Sequence, residues 1–385
     1  PYKKIPLEVA SARTESYDDS SRKPNKIQYT DLKGDLLRRD FTINAMAIDL
    51  HPKRFGDLSD PFKGILDLQE KQLVTPLDPN KTFSDDPLRM MRAAYFCAKL
   101  DMRVDSKIKE SMNHQAARIK IVSWERITAE FFKILSCPKP SIGLKLLQHT
   151  GLMKYIFPEI DAMYGLDQTS EWHHKDIFSH TLQVVDNAAE LTKEMRVRFA
   201  ALVHDIAKPK TRRIHEKKGY TFYGHDFFGS KIVQKVAKRM KLPNELNTYL
   251  QKMTALHLRP IAIAKEEVTD SAIRRLMVVA GEDIHELMML CRADITTKNS
   301  RLVKKYMGNF ERVEKRMQNV KELDEMAAFQ SPVRGDEIMV IFGIKPGKNV
   351  GKIKSAIEEA ILNGEIENNY NDAKEFLLKN KKTFL

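Results

Sequence analysis

The chain has 385 residues, 42% of them hydrophobic and 30% charged, a composition that suits a packed protein of two to four domains and excludes a disordered one. No apolar run approaches the roughly 18 residues that a membrane helix needs, and the odd, scattered Cys97, Cys137 and Cys291 exclude a disulfide framework and a cysteine-based zinc finger, which predicts a reducing, cytoplasmic setting. Lys and Arg exceed Asp and Glu by 65 − 52 = 13, which favours polyanionic partners, nucleic acid before membrane.

Taken in order, the chain opens on Pro1 rather than Met, and residues 1–30 alternate short strand signals with turns, so its start is expected to be a trimmed boundary. Residues 35–50 carry a helical pattern through Leu36, Leu37, Phe41, Ile43, Ala45, Met46 and Ile48. Pro52, Gly56, Pro61, Gly64, Pro76 and Pro79 mark a connector. Residues 84–150 read as helical, with 12 Lys and Arg against 7 Asp and Glu, so the positive excess is concentrated there. Residues 151–300 hold most of the histidines on helical segments. Residues 301–385 are charged helices interrupted at Gly343-Ile344-Lys345-Pro346-Gly347. The fold class expected is mainly α, with a small β-containing remnant at the start.

Two segments are dense in chemistry: Arg38-Arg39-Asp40-Phe41-Thr42-Ile43-Asn44-Ala45, and Asp85-Asp86-Pro87-Leu88-Arg89 with Arg92 beyond it. Asp86 ahead of Pro87 predicts an N-cap, and Arg89 and Arg92 follow it at helical i,i+3 steps. A carboxylate beside a guanidinium offers an acceptor next to a donor. Cytosine and adenine present the complementary edge, whereas uracil and guanine present the reverse and would leave polar groups unsatisfied. An N-cap with an intrahelical ion pair accounts for the same spacing.

These segments resemble the class II CCA-adding enzyme and poly(A) polymerase family of tRNA nucleotidyltransferases. The first looks like its ribose- and triphosphate-recognition motif. Asp60-Pro61-Phe62-Lys63-Gly64 through Asp67-Leu68 looks like its flexible hinge, Asp85 to Arg89 like its base-template motif, and Glu125-Arg126-Ile127-Thr128-Ala129-Glu130 like its helix-stabilising motif. The resemblance implies a head over residues 1–50, a nucleotide-selecting and RNA-binding neck over 51–150, an HD body over 151–300 and a helical tail over 301–385. It implies addition of C and A to tRNA 3′ ends from CTP and ATP, with an A-adding enzyme, a poly(A) polymerase or an HD phosphohydrolase alone as alternatives. Arg39, Asp40, Asn44, Asp86, Arg89 and Arg92 fall on nucleotide-binding positions. Tyr95 stands where the family often has a further Arg. Thr42 and Asn44 suit either helix support or substrate contact.

Nucleotidyl transfer uses two metal ions held by carboxylates, Mg2+ being expected here. The family's Asp-x-Asp pair occurs nowhere in the chain, so these ligands are expected to precede Pro1, and the chain alone is expected to bind nucleotide without polymerising. Glu8, in Leu7-Glu8-Val9, is a candidate third carboxylate; strand alternation alone also explains it.

A second constellation holds His180, His204-Asp205, His225, His257 and Asp294. An adjacent His-Asp pair on an apolar helix is costly unless ligated, and imidazoles with carboxylates suit a divalent transition metal or Mg2+. The arrangement resembles the HD phosphohydrolase superfamily. That implies His180, His204, Asp205 and Asp294 as metal ligands, with His225 and His257 as further ones and Lys208 near a phosphate; a scaffold that has lost its metal remains the other reading. Basic residues of the neck and tail are expected to meet a tRNA acceptor arm through its phosphates, and no membrane contact is expected.

Overall fold

The computed structural model describes residues 9–17, 24–167, 176–217, 219–264, 269–324 and 331–384. Most are helical, and the described strands form four separate two-stranded pairs. The chain divides into two compact units, Pro1–Ala255 and Leu256–Leu385. No described helix is long and apolar enough to cross a membrane.

In the first unit β1 (Arg13–Tyr17) pairs antiparallel with β2 (Pro24–Tyr29). The side chain of Asp31 then accepts from Gly34 N at 2.8 Å and starts the short helix Leu32–Leu37. The helix expected over residues 35–50 is not continuous. It stops at Arg38, gives way to a single 3-10 turn at Thr42–Asn44, and continues as β3 (Ala47–Ile48), antiparallel to β4 (Leu58–Ser59). Tertiary contacts override the local periodicity there. Phe41 is fully buried, and the backbone N–H of Thr42 donates to the carbonyl of Val74 at 2.9 Å instead of to its own turn. Below this bend Asp60 receives the N–H groups of Gly64 and Ile65 and starts the helix Gly64–Gln69. β5 (Gln72–Leu73) runs parallel to β6 (Arg103–Val104).

The helix Pro79–Asp85 leads into α1 (Leu88–Leu100), α2 (Ser106–Gln115), α3 (Trp124–Leu135) and α4 (Pro140–His149). The apolar stripe of α1, with Met90, Met91, Ala94 and Cys97 buried, packs on α3 and α4. Gly143 allows the close approach, since a Cβ there would stand 2.7 Å from the Ala94 carbonyl oxygen. α5 (Ile177–Leu191) and α6 (Met195–Val203) form an antiparallel pair. Buried Arg198 on α6 donates to the carbonyls of Leu135, Cys137, Ala189 and Thr192, so a buried guanidinium is satisfied by the backbone alone. The hairpin β7 (Arg213–His215) and β8 (Gly219–Thr221) precedes α7 (His225–Arg239) and α8 (Asn244–Leu256).

The second unit contains α9 (Asp270–Ala280), α10 (Ile284–Ala293) and the long α11 (Ser300–Asp324), followed by α12 (Gly335–Phe342), α13 (Lys348–Leu362) and α14 (Tyr370–Lys379). Val333, Ile338, Phe342, Ile353, Ile357 and Leu377 make the small core of its last three helices. The Gly343–Gly347 interruption joins α12 to α13, with Gly343 in the left-handed region at φ 67°.

Candidate functional site

The bend between the helix Leu32–Leu37 and β3 faces the start of α1. Between them and α3 lies a cavity of about 680 Å3, walled by Arg38, Arg39, Arg89, Arg92 and Arg126 and by three carboxylates, Asp40, Asp86 and Glu130. Five guanidiniums against three carboxylates leave a positive excess, which suits a polyanionic ligand. Asn44 also lines this cavity, so the cleft brings together Arg39, Asp40, Asn44, Asp86, Arg89 and Arg92.

Each charged group is held by a specific partner. Asp86 ends the helix Pro79–Asp85 and Pro87, not Asp86 as expected, is the N-cap of α1, yet Asp86 Oδ1 still accepts from Leu88 N at 3.1 Å, and Asp86 Oδ2 receives Arg126 Nη2 at 3.2 Å from α3. Arg89 donates to the carbonyls of Thr82 at 3.2 Å and Arg38 at 2.6 Å, which fixes its planar group against the backbone. Arg92 Nε donates to Asp40 Oδ2 at 2.6 Å. Asp40 Oδ1 accepts from Phe41 N and from Asn44 Nδ2. Thr42 is buried away from the cleft and donates to Asp67 Oδ2 at 2.6 Å, tying the bend to the helix Gly64–Gln69. Tyr95 does not wall the cavity; its ring meets Phe96 and the Lys99 ammonium.

Four contributors were not singled out as site residues from the sequence. Asp35 accepts from Arg38 at 2.6 Å and Arg39 at 3.3 Å and so orients both arginines. Burial would raise its carboxyl, yet Arg38, Arg39 and the Arg13 amide outweigh that and hold it below the usual range. Arg38 itself, Arg126 and Glu130 complete the wall. Asp35 and Arg38 are i,i+3 neighbours and could have been read as a pair; the reach of Arg126 to Asp86 across 40 positions leaves no local signal. Glu8 lies outside the described residues.

The second constellation is buried. His180 on α5, His204 and Asp205 after α6, and His225 at the start of α7 converge on the Asp205 carboxylate. Asp205 Oδ2 lies 3.5 Å from His180 Nε2, 3.1 Å from His204 Nε2 and 2.6 Å from Lys208 Nζ, and Oδ1 lies 3.2 Å from His225 Nε2. The Nδ1 atoms of His204 and His225 stand 2.8 and 2.7 Å from the carbonyls of Ala201 and Phe222. A carbonyl can only accept, so Nδ1 carries the proton and a neutral ring points the lone pair of Nε2 at the carboxylate. Lys208 already places one cation against that carboxylate, and a protonated ring or a bound metal would place another among the histidines. Burial raises the Asp205 carboxyl, but His204, Lys208 and His225 together hold it well below the usual range. The donor set and its backbone-fixed tautomers fit a divalent metal. His257 and Asp294 belong to the second unit. His257 is buried and its carbonyl accepts from the Cys291 thiol; Asp294 ends α10.

Comparison with known proteins gives the family of the chain. The poly A polymerase head domain family matches residues 2–74, the probable RNA- and SrmB-binding site of polymerase A matches residues 101–164, and the HD domain matches residues 177–299. A multifunctional CCA protein of Vibrio vulnificus strain YJ016 is 33% identical over 303 residues, covering 76% of this chain and 72% of that protein. The chain belongs to the CCA-adding and poly(A) polymerase family of tRNA nucleotidyltransferases. Within the family, an A-adding tRNA nucleotidyltransferase of Deinococcus radiodurans is 30% identical over 351 residues, covering 87% of this chain and 76% of that protein. The chain spans 64% of the multifunctional CCA protein of Vibrio parahaemolyticus, to which it is 33% identical over 272 residues, 68% of this chain. The fold is also that of the Bacillus stearothermophilus CCA-adding enzyme solved in complex with CTP, with a TM-score of 0.62 at 21% identity, covering 97% of this chain and 79% of that one.

Proposed function

We propose that this chain selects CTP and ATP in the arginine-walled cleft and serves addition of C and A to tRNA 3′ ends. The observation that carries this reading is the Asp86 carboxylate, which accepts from Leu88 N and Arg126 on the same cavity wall as Arg89. A held carboxylate next to a fixed guanidinium offers the acceptor and donor that cytosine and adenine complement. Arg39 and Arg92, with Asp40 and Asn44 between them, suit ribose and triphosphate, because guanidiniums bind phosphate oxygens bidentately. The basic neck helices suit phosphates of a tRNA acceptor arm, and this binding should be salt-sensitive and blind to sequence.

Mg2+ bound at a nucleotidyltransferase site activates the attacking 3′-hydroxyl and neutralises the departing pyrophosphate. The cleft carboxylates do not fit the role of its ligands, since Asp40 is engaged by Arg92 and Asn44, Asp86 by Arg126 and Glu130 by Lys133. No step of the reaction is therefore assigned to them. The test is equilibrium binding of CTP, ATP, UTP and GTP to the chain. The reading expects CTP and ATP to bind more tightly, and expects Asp86→Ala to abolish the preference. Equal binding of all four by the unaltered chain refutes it. The Deinococcus relative covers more of this chain than the Vibrio proteins do, so a preference for ATP alone is the variant of this reading to score in the same titration.

A second activity is favoured by the histidines pointed at Asp205. His180, His204, Asp205 and His225 would hold a divalent transition ion, which supplies a hydroxide nucleophile for phosphoester hydrolysis. Lys208, 2.6 Å from Asp205, both neutralises that carboxylate and offers an ammonium to a phosphate. Metal analysis with a 2′,3′-cyclic phosphate hydrolysis assay tests this, His204→Ala removing both metal and activity.

A further inference from the structure

One basic and aromatic surface of the first unit has no part in either site. Between the short helix Lys208–Thr211, the β7–β8 hairpin and α7 lies a groove of about 500 Å3. Lys210, Arg213, Lys231 and Lys235 line it, and no carboxylate does. All four cations are exposed, and none is in an ion pair among the described residues. Tyr223 and Phe228 line the same groove at 72% and 51% exposure, and Phe227 beside them is 56% exposed with the Lys231 ammonium 4.3 Å from its ring centroid. Exposed aromatic faces are costly in water and, when grouped, mark a binding surface.

We propose that this groove binds a short single-stranded RNA segment, its phosphates on the four cations and its bases on Tyr223 and Phe228. The reasons are chemical and geometric. Four cations with no carboxylate among the lining residues attract a polyanion, and interleaved aromatic faces distinguish a nucleic acid strand, whose bases stack, from an acidic peptide, whose side chains do not. Phe228, Lys231, Ile232 and Lys235 follow one another at helical i, i+3, i+4 and i+7 spacing, so they form one stripe on α7. Seven residues of helix rise by about 10 Å, the length of about three stacked nucleotides. A duplex would hide the base faces that Tyr223 and Phe228 address, so the strand bound is unpaired. The inference stands whether or not the Asp205 cluster holds a metal.

The test uses the full chain and a short fluorescent single-stranded oligoribonucleotide, with affinity measured by anisotropy from about 50 to 200 mM salt. Lys231→Glu with Lys235→Glu should weaken binding by about tenfold and flatten the log–log salt slope by about 1.4, the value for two phosphates on a single strand. Lys231→Arg with Lys235→Arg should leave both unchanged. Tyr223→Ala with Phe228→Ala should weaken binding by about tenfold without changing the slope. A strand carrying 4-thiouridine should crosslink to the peptide that holds Tyr223 and Phe228. An unchanged slope in the charge-reversed variant, at an unchanged melting temperature, overturns the proposal. So does competition by polyglutamate as strong as that by RNA, which would give the groove to an acidic protein. Competition by AMP as strong as by the oligonucleotide overturns the strand and leaves a mononucleotide site.

Discussion

Arg92 of α1 and Asp40 of the bend before β3 lie 52 positions apart and meet at 2.6 Å, Nε to Oδ2. Asp40 is nine-tenths buried and also accepts from Phe41 N and Asn44 Nδ2. The pair thus joins the bend before β3 to α1 and holds Arg92 on the cavity wall. Asp40→Asn retains the shape but removes the charge. It should weaken binding of CTP, ATP, UTP and GTP alike, by about tenfold, and lower stability by about 1–3 kcal/mol. Nucleotide titrations together with thermal melts check this. A change in base preference would place Asp40 at the base instead of the sugar and phosphates.

Arg126 positions Asp86 without being its sequence neighbour. Arg126→Met keeps the length of the stem and removes the donor at 3.2 Å from Asp86 Oδ2. The pair is partly exposed, side chains at 36% and 22%, so stability should shift by only about 0–1 kcal/mol. Selectivity should respond more. The discrimination of CTP and ATP over UTP and GTP should fall by about tenfold, while Asp86→Ala in the Arg126→Met background adds little, because both changes disturb one carboxylate. Additive losses in that double-mutant cycle would separate the two residues.

Much of the cleft was legible because its parts sit in two short runs, Arg38 to Asn44 and Asp85 to Arg92, which resemble family motifs; their spacing alone fits a capped helix with an ion pair equally well. What joins the runs was not. The contacts Arg92–Asp40 and Arg126–Asp86 cross 52 and 40 positions, and nothing in helical periodicity ranks one distant partner above another. The same limit explains the broken helix after Leu37. The apolar pattern of Phe41, Ile43 and Met46 is helical by count, but Phe41 is taken into the core and Thr42 is tied to Asp67 and Val74. In the second cluster the residue types were legible. The arrangement of His180, His204 and His225 around Asp205, rather than in a line, follows from how α5, α6 and α7 pack.

Gly143 marks where α4 crosses α1. Its missing Cβ would meet the Ala94 carbonyl oxygen at 2.7 Å and Ile134 Cγ2 at 2.8 Å. Backbone cannot step aside as a side chain can, so Gly143→Ala should cost about 1–3 kcal/mol through overpacking even though alanine is the better helix former. A lowered melting temperature is expected; an unchanged or raised one would mean that the helices separate freely.

All three thiols are buried. Burial pushes the Cys97 thiol up to about 12 and that of Cys137 to about 11, and raises Cys291 well above the ordinary value. Thiolate is the reactive form, so the native chain at pH 8 should resist alkylation at all three positions and react fully once unfolded in guanidinium. Mass spectrometry of digested protein reads each site. Rapid labelling of Cys97 in the native state would mean that α1 opens readily from α3 and α4.

Arg239 at the end of α7 forks onto Glu159, Nη1 to Oε1 at 2.8 Å and Nη2 to Oε2 at 2.6 Å, over the rings of Trp124 and Phe157. Burial raises the Glu159 carboxyl, but the guanidinium outweighs it and holds the group below its ordinary value of 4.5. A carboxyl depressed in the folded state stabilises the fold at pH values above its unfolded pKa and loses that contribution as pH falls through the folded one. Stability from this pair is therefore complete at neutral pH and declines only below about 4.5. Glu159→Gln should cost about 1–3 kcal/mol at pH 7, since it leaves Arg239 without its charge partner. The gap between the variant and the parent should narrow as pH is lowered through that range. Urea unfolding at several pH values measures it, and a gap that stays constant down to the acid transition would remove Glu159 from the groups that link stability to pH.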